Sequence, residues 1–119
     1  MAPTTTSLNT IGTCIGSNSN LTCNFDIGSR RYTFSQDSPA AESFPNFRSF
    51  YLTLSDAYKT DNDLSGVYGF RGDVGPTTLY LSLVNENRHQ LLISGPINMV
   101  VYPSSPVHGR GTWSYADLD

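Results

Sequence analysis

Apolar and polar residues alternate without a fault along Leu21-Thr22-Cys23-Asn24-Phe25-Asp26-Ile27, the period-two signature of a strand buried on one face. Gly28-Ser29 then fits a two-residue turn led by glycine, and Arg30 to Ser35 returns. The pattern predicts a hairpin in which Tyr32 faces Phe25 and Phe34 faces Cys23. A second hairpin follows the same logic. Leu79, Leu81 and Leu83 alternate along one arm, Leu91 and Ile93 along the other, and the polar run Asn85 to His89 joins them. That loop length sets Leu83 against Leu91 and Leu81 against Ile93. Phe50, Leu52 and Leu54 predict one face of a further strand, and Val67 to Phe70 a short one. Ile97, Met99 and Val101 predict another after Gly95-Pro96, and Thr112 to Ala116 closes the fold with Trp113 and Tyr115. Near the start, pairing Ile15 with Leu21 places Ile11, Thr13 and Ile15 on the face of Cys23 and Phe25. No stretch carries helical periodicity. The expectation is an all-β fold of about eight short antiparallel strands: a β-sandwich, a jelly roll or a barrel.

The 119 residues suffice for one core and not for two. Residues 1–8, with Ala-Pro-Thr-Thr-Thr-Ser, read as a polar hinge, and 9–119 as the single β domain. The first ten residues lack the charged-then-apolar pattern of a signal peptide. Such a start fits a mature secreted protein with an added methionine or a domain cut from a longer polypeptide, and the first element's beginning so soon after the Pro/Thr stretch favours the second. Between the strands, 36–47 and 55–66 are the longest irregular segments, the first with a short helical turn near Pro39 to Glu42. Loops of this length in a small domain tend to be functional.

Charge narrows the function. Charged residues make up 14% of the chain, the net charge is −3, and Lys59 is the single lysine. Nucleic-acid binding needs clustered Lys and Arg, which the sequence does not show, so no nucleic-acid partner is expected. No apolar run approaches the ~20 residues of a membrane helix, and no membrane insertion is expected.

Cys14 and Cys23 flank the tip Gly16 to Asn20. A disulfide across that hairpin would indicate an oxidising compartment. The register that buries the isoleucines points the two cysteines to opposite faces, whereas a shift by one residue restores the bond and exposes the isoleucines. Both outcomes, a disulfide and free buried thiols, stay open. Asn20-Leu21-Thr22 is a glycosylation sequon.

The most specific local motif is Asp61-Asn62-Asp63-Leu64-Ser65-Gly66. It matches the first half of a calcium loop, D-x-D-x-S-G, in which alternate oxygens converge on one hard cation. Gly72 stands at the twelfth position, where an EF-hand supplies glutamate, so an EF-hand is excluded. A non-helical Ca2+ site would use Asp61, Asp63 and Ser65 with Asp56 or Asp73 completing the shell; an ordinary solvated turn has the same composition. Arg71-Gly72-Asp73 is a receptor-adhesion tripeptide in what reads as a tight turn, Gly69 to Pro76. His89 and His108, with Glu86, Arg88 or Arg110, are the available acid–base groups, and both are expected exposed in polar turns. No nucleophile elbow, phosphate loop or zinc spacing occurs, so no enzyme is expected. Six Phe, seven Tyr and one Trp are many for a small sheet's inner face. Tyr51, Tyr80 and Tyr102 fall opposite the leucine or valine stripe, where they suit a glycan groove or a dimer interface.

The Pro/Thr hinge at Ala2 to Ser7, the short strands, the Asp61-Asn62-Asp63 motif and the finish at Leu118-Asp119 together resemble the protruding domain of nodavirus-like capsid proteins. The resemblance implies a homodimeric spike on the virion surface that contacts a host-cell receptor or glycan and binds calcium through Asp61 and Asp63. The alternative is a secreted, extracellular carbohydrate-binding module of lectin-like β-sandwich form. A small secreted hydrolase or ribonuclease using the histidines is the third reading.

Overall fold

The computed structural model describes residues 7–17, 20–37, 46–56 and 64–118, those at 7–11 and 56 by backbone alone. Eight strands form in chain order: β1 Ser7–Ser17, β2 Asn20–Ile27, β3 Arg30–Gln36, β4 Phe47–Asp56, β5 Gly66–Val74, β6 Thr78–Val84, β7 Gln90–Pro96 and β8 Ser105–Asp117. They close into an antiparallel barrel in the order β1-β2-β3-β8-β5-β6-β7-β4, with β4 returning to β1. The all-β expectation holds, in its barrel form. Closure leaves no sheet edge to recruit another chain.

Both predicted hairpins form with the expected partners. Phe25 stands opposite Tyr32 and Cys23 opposite Phe34. Gly28 opens that turn at φ 61°, a left-handed conformation that costs glycine no Cβ clash. Leu83 stands opposite Leu91 and Leu81 opposite Ile93. In the turn between them, the Asn85 side-chain oxygen accepts from the backbone N–H of Asn87 and of His89, both at 2.9 Å.

Two populations of side chain fill the barrel. Phe25, Phe34, Phe70 and Trp113 cluster on one side, with Phe34 5.2 Å from Trp113 and edge-on to Phe70 at 6.0 Å. Leu52, Leu54, Leu79, Leu81, Leu83, Leu91 and Ile93 pack the other, all buried. β1 turns only Gly12, Cys14 and Gly16 inward among its described side chains. A Cβ on Gly12 would run into the Phe25 ring, and one on Gly16 into the Phe47 ring. These small residues make room for large rings opposite, as a narrow barrel requires.

That volume constraint overturns the predicted register of β1 against β2. Gly16, not Ile15, pairs with Leu21, and Ser17 pairs with Asn20. Ile15 therefore points outward and is 45% exposed, and Thr13 is exposed beside it; the side chain of Ile11 lies outside the described residues. Cys14 pairs directly with Cys23, both face inward, and both thiols are free, with Cys23 donating to the Cys14 sulfur at 2.9 Å.

Three further expectations are corrected. β4 is not a regular alternation: Cys14 pairs with Ser49 and Gly12 with Leu52, so Phe50 and Tyr51 together oppose Thr13 in a β-bulge. Ser49, not Phe50, is the buried residue, its hydroxyl donating to the Pro96 carbonyl. Residues 97–101 are an irregular connection, not a strand. Its N–H groups bond to separate places: Ile97 to the Thr77 carbonyl, Asn98 to that of Arg48 and Val101 to that of Pro76. Finally, β5 runs on through Val74, so Gly69 to Asp73 is extended strand and not a tight turn.

Candidate functional site

The strand registers define rows across the outer wall. One row reads Thr53, Ser94, Tyr80, Asp73, Pro106 across β4, β7, β6, β5 and β8. The next reads Ser55, Leu92, Ser82, Arg71, His108, and the next Gln90, Val84, Gly69, Arg110. Residues from Thr53 to Arg110 thus share one surface. Its two ends differ in chemistry.

The end near the start of β4 is apolar. The bulge turns consecutive aromatics outward, Phe50 at 51% and Tyr51 at 68% exposure. The β7–β8 connection crosses beside them: Asn98 N–H donates to the Arg48 carbonyl at 2.9 Å, and the Arg48 N–H donates to Asn98 Oδ1 at 3.1 Å. That connection presents Met99, Val100 and Tyr102, the last 84% exposed. Ile15, paired with Arg48, flanks the same end. Of the sequence-predicted contact residues, Tyr51, Tyr80 and Tyr102 all point outward, with Tyr80 one strand beyond Ser94. Contiguous apolar area of this kind is uncommon on the outside of small domains.

The other end is polar. Arg71 and His108 are direct cross-strand partners, and Arg110 stands opposite Gly69. Arg71, His108 and Arg110 are all exposed. The two ion pairs among the described residues lie elsewhere, Arg30–Asp117 at 3.1 Å and Arg31–Asp26 at 2.8 Å. Arg31 holds the Asp26 carboxyl below its ordinary value by hydrogen bonding. Arg71 and Asp73 were expected at a turn; they instead project from a strand hydrogen-bonded on both sides, so the tripeptide is not presented at a loop tip.

The histidines do not converge. His89 is 8% exposed rather than a surface turn residue, its ring edge-on to the buried Tyr68 at 6.3 Å. His108 lies on the outside of β8. The wall separates them, so the acid–base pairing imagined for them has no common cleft. Of the calcium motif, Asp61 and Asp63 lie outside the described residues, as does the side chain of Asp56. Leu64 is buried, Ser65 is exposed and Gly66 has φ 80°. The chain therefore turns at the sixth position, where a D-x-D-x-S-G loop needs its glycine.

Sequence reasoning missed Phe50, Met99 and Val100 as surface groups, and it missed the meeting of Arg71 with His108 and Arg110. A signal for the first existed: Ser49-Phe50-Tyr51-Leu52 breaks strict alternation with two adjacent aromatics, the mark of a bulge. The second had none, because it depends on the pairing of β5 with β8. Comparison of the chain with protein-family models, curated proteins and solved structures finds no match.

Proposed function

We propose that this domain is a non-catalytic assembly and recognition module that pairs with a second copy of itself, in the manner of a capsid protruding domain forming dimeric spikes. One observation carries the reading: the β4 bulge directs Phe50 and Tyr51 outward, on the strand whose Arg48 bonds to Asn98 of the connection that exposes Met99, Val100 and Tyr102. Burying a large apolar side chain stabilises by roughly 1.5–3 kcal/mol, so leaving five in water is costly unless a partner covers them. A second copy suits this face better than a charged partner. The chain carries a net charge of −3, yet the patch itself consists of uncharged side chains apart from the neighbouring Arg48. Two copies meet there without bringing carboxylates together. A specific interface needs about 800 Å2 from each partner.

Sedimentation equilibrium tests the proposal. The domain is expected to dimerise in a concentration-dependent way, and Phe50→Ser/Tyr51→Ser to be monomeric with an unchanged circular-dichroism spectrum. A wild-type domain that stays monomeric at several hundred micromolar would overturn it. The same proposal includes calcium at Asp61, Asp63 and Ser65, with Asp56 as the further ligand. Calcium at ~100 times its dissociation constant adds about 2.7 kcal/mol of stability. Melting points that coincide in calcium and in chelator remove that part of the proposal.

The lectin-like alternative is favoured by a different feature, the cationic end of the wall.

A further inference from the structure

The chain has two cysteines, and the barrel sets them face to face. Cys14 on β1 and Cys23 on β2 are direct cross-strand partners, both turned inward, at 1% and 0% exposure. Directly opposed residues of an antiparallel pair have Cα atoms about 4.5 or 5.5 Å apart, and either spacing lies within the roughly 4.4–6.8 Å that a disulfide spans. The two sulfurs stand 2.9 Å apart, so about 0.9 Å of approach brings them to bonding distance. Closure asks for a change of side-chain torsion and not for a new register.

The surroundings suit a pair held in reserve. Of the described β1 side chains that turn inward, Cys14 alone is larger than glycine. The inward positions on either side of it, Gly12 and Gly16, are covered by the Phe25 and Phe47 rings. Cys14 is therefore the one described side chain by which β1 grips the core. Otherwise β1 is held through its backbone pairing with β2 and by a seam with β4 whose register slips twice. A covalent bond to β2 would count most on a strand anchored so lightly.

We propose that Cys14 and Cys23 form a reversible disulfide, made by exchange with a small-molecule disulfide such as oxidised glutathione, which fastens β1 to β2 in an oxidising medium and opens in a reducing one. The thiolate of one cysteine attacks a sulfur of the small disulfide, expelling one small thiolate and leaving a mixed disulfide. The second cysteine, deprotonated in turn, attacks the protein sulfur of that bond and displaces the second small thiolate. Two protein thiols and one small disulfide become one protein disulfide and two small thiols, the departing thiolates taking up the two protons. Burial sets the rate. The first attack waits for local opening of the lightly held β1, whereas the second joins sulfurs already in register. The switch is independent of self-association, because the aromatic face at Phe50 takes no part in it.

The reduced, folded domain is incubated with millimolar oxidised glutathione at mildly alkaline pH, and a second sample is refolded from urea in the same buffer, where access is not limiting. Intact mass and thermal melting are then read. The expected product is a single chain that has lost two hydrogens, carries no glutathione, and resists iodoacetamide in denaturant. Its melting point is expected to lie roughly 5–10 °C above that of the reduced domain, since the cross-link restricts the unfolded chain. Dithiothreitol is expected to restore both mass and melting point. Cys14→Ser and Cys23→Ser are each expected to show no such rise with oxidant. The proposal is overturned if both thiols still alkylate fully after refolding with oxidant, or if glutathione adducts or inter-chain disulfides are the end product. An oxidised domain that melts at or below the reduced one, or a single-cysteine variant that gains the same rise, would equally overturn it.

Discussion

The β6–β7 seam and the β1–β4 seam each hold seven paired positions and behave oppositely. Along β6–β7 every pairing from Thr78 with Pro96 to Val84 with Gln90 is in step, so alternation alone decides which side chains face in. Along β1–β4 the register slips twice, once where β1 carries Asn9 and Thr10 against no residue of β4, and once where Phe50 and Tyr51 oppose Thr13. The regular seam is core; the irregular one gives the molecule its exposed aromatic face. A bulge is thus a means of putting a large apolar side chain outside without sacrificing the strand.

The sharpest way to break this comparison is at the regular seam. Leu81→Ala, in the fully buried row with Ile93, is expected to cost about 2–5 kcal/mol in urea unfolding, since a narrow barrel relaxes poorly around a cavity. A loss below 1 kcal/mol, on the order of a surface change, would mean that the seam is not the core.

The irregular seam carries a second, pH-dependent effect. Burial raises the Cys14 thiol well above its ordinary value, with the neighbouring Cys23 adding to the shift. A group whose folded pKa lies above its unfolded value contributes stability that is complete below the unfolded pKa and is lost as pH rises beyond it. In reducing buffer, stability is therefore expected to fall once pH passes about 9, and Cys14→Ala to flatten that decline. Identical alkaline profiles for the two proteins would contradict the buried thiol.

Smaller effects sharpen the contrast from the turn side. Arg88 sits at φ 65° between β6 and β7, a region that costs residues other than glycine roughly 1–2 kcal/mol against a larger entropy loss for glycine. Arg88→Gly is expected to raise stability by up to about 1 kcal/mol, read as a higher melting point. Smallest of all is Tyr51→Ser, expected to change monomer stability by no more than about 0.5 kcal/mol while weakening self-association. A destabilisation comparable to that of Leu81→Ala would place Tyr51 in the core and end the interface reading.

Legibility followed the regularity of the strands. The partners Phe25 with Tyr32 and Leu81 with Ile93 were readable because unbroken alternation between short turns leaves a single register. Ile15 misled, because its apolarity argued for an inward position that the Phe25 and Phe47 rings already fill through Gly12 and Gly16. Residues 97–101 misled for a related reason: Ile97 and Val101 are partly or fully buried, yet they reach the core from a loop whose N–H groups bond to three different places. The candidate surface was half legible. The outward position of Tyr80 follows from periodicity, but no local pattern foretells that Arg71 meets residues nearly forty positions later.

The chain by itself determined the all-β class, the hairpins at Gly28 and at Asn85 with their registers, and the outward position of Tyr80, because these depend on a side-chain period of two and on turn chemistry, both local. Tertiary structure alone decided that the sheet closes, that β1 must turn glycines inward, that β4 bulges, and that Arg71, His108 and Arg110 share the outer wall of β5 and β8. Those outcomes rest on shared interior volume and on pairing between distant strands, and neither quantity exists until the barrel has closed.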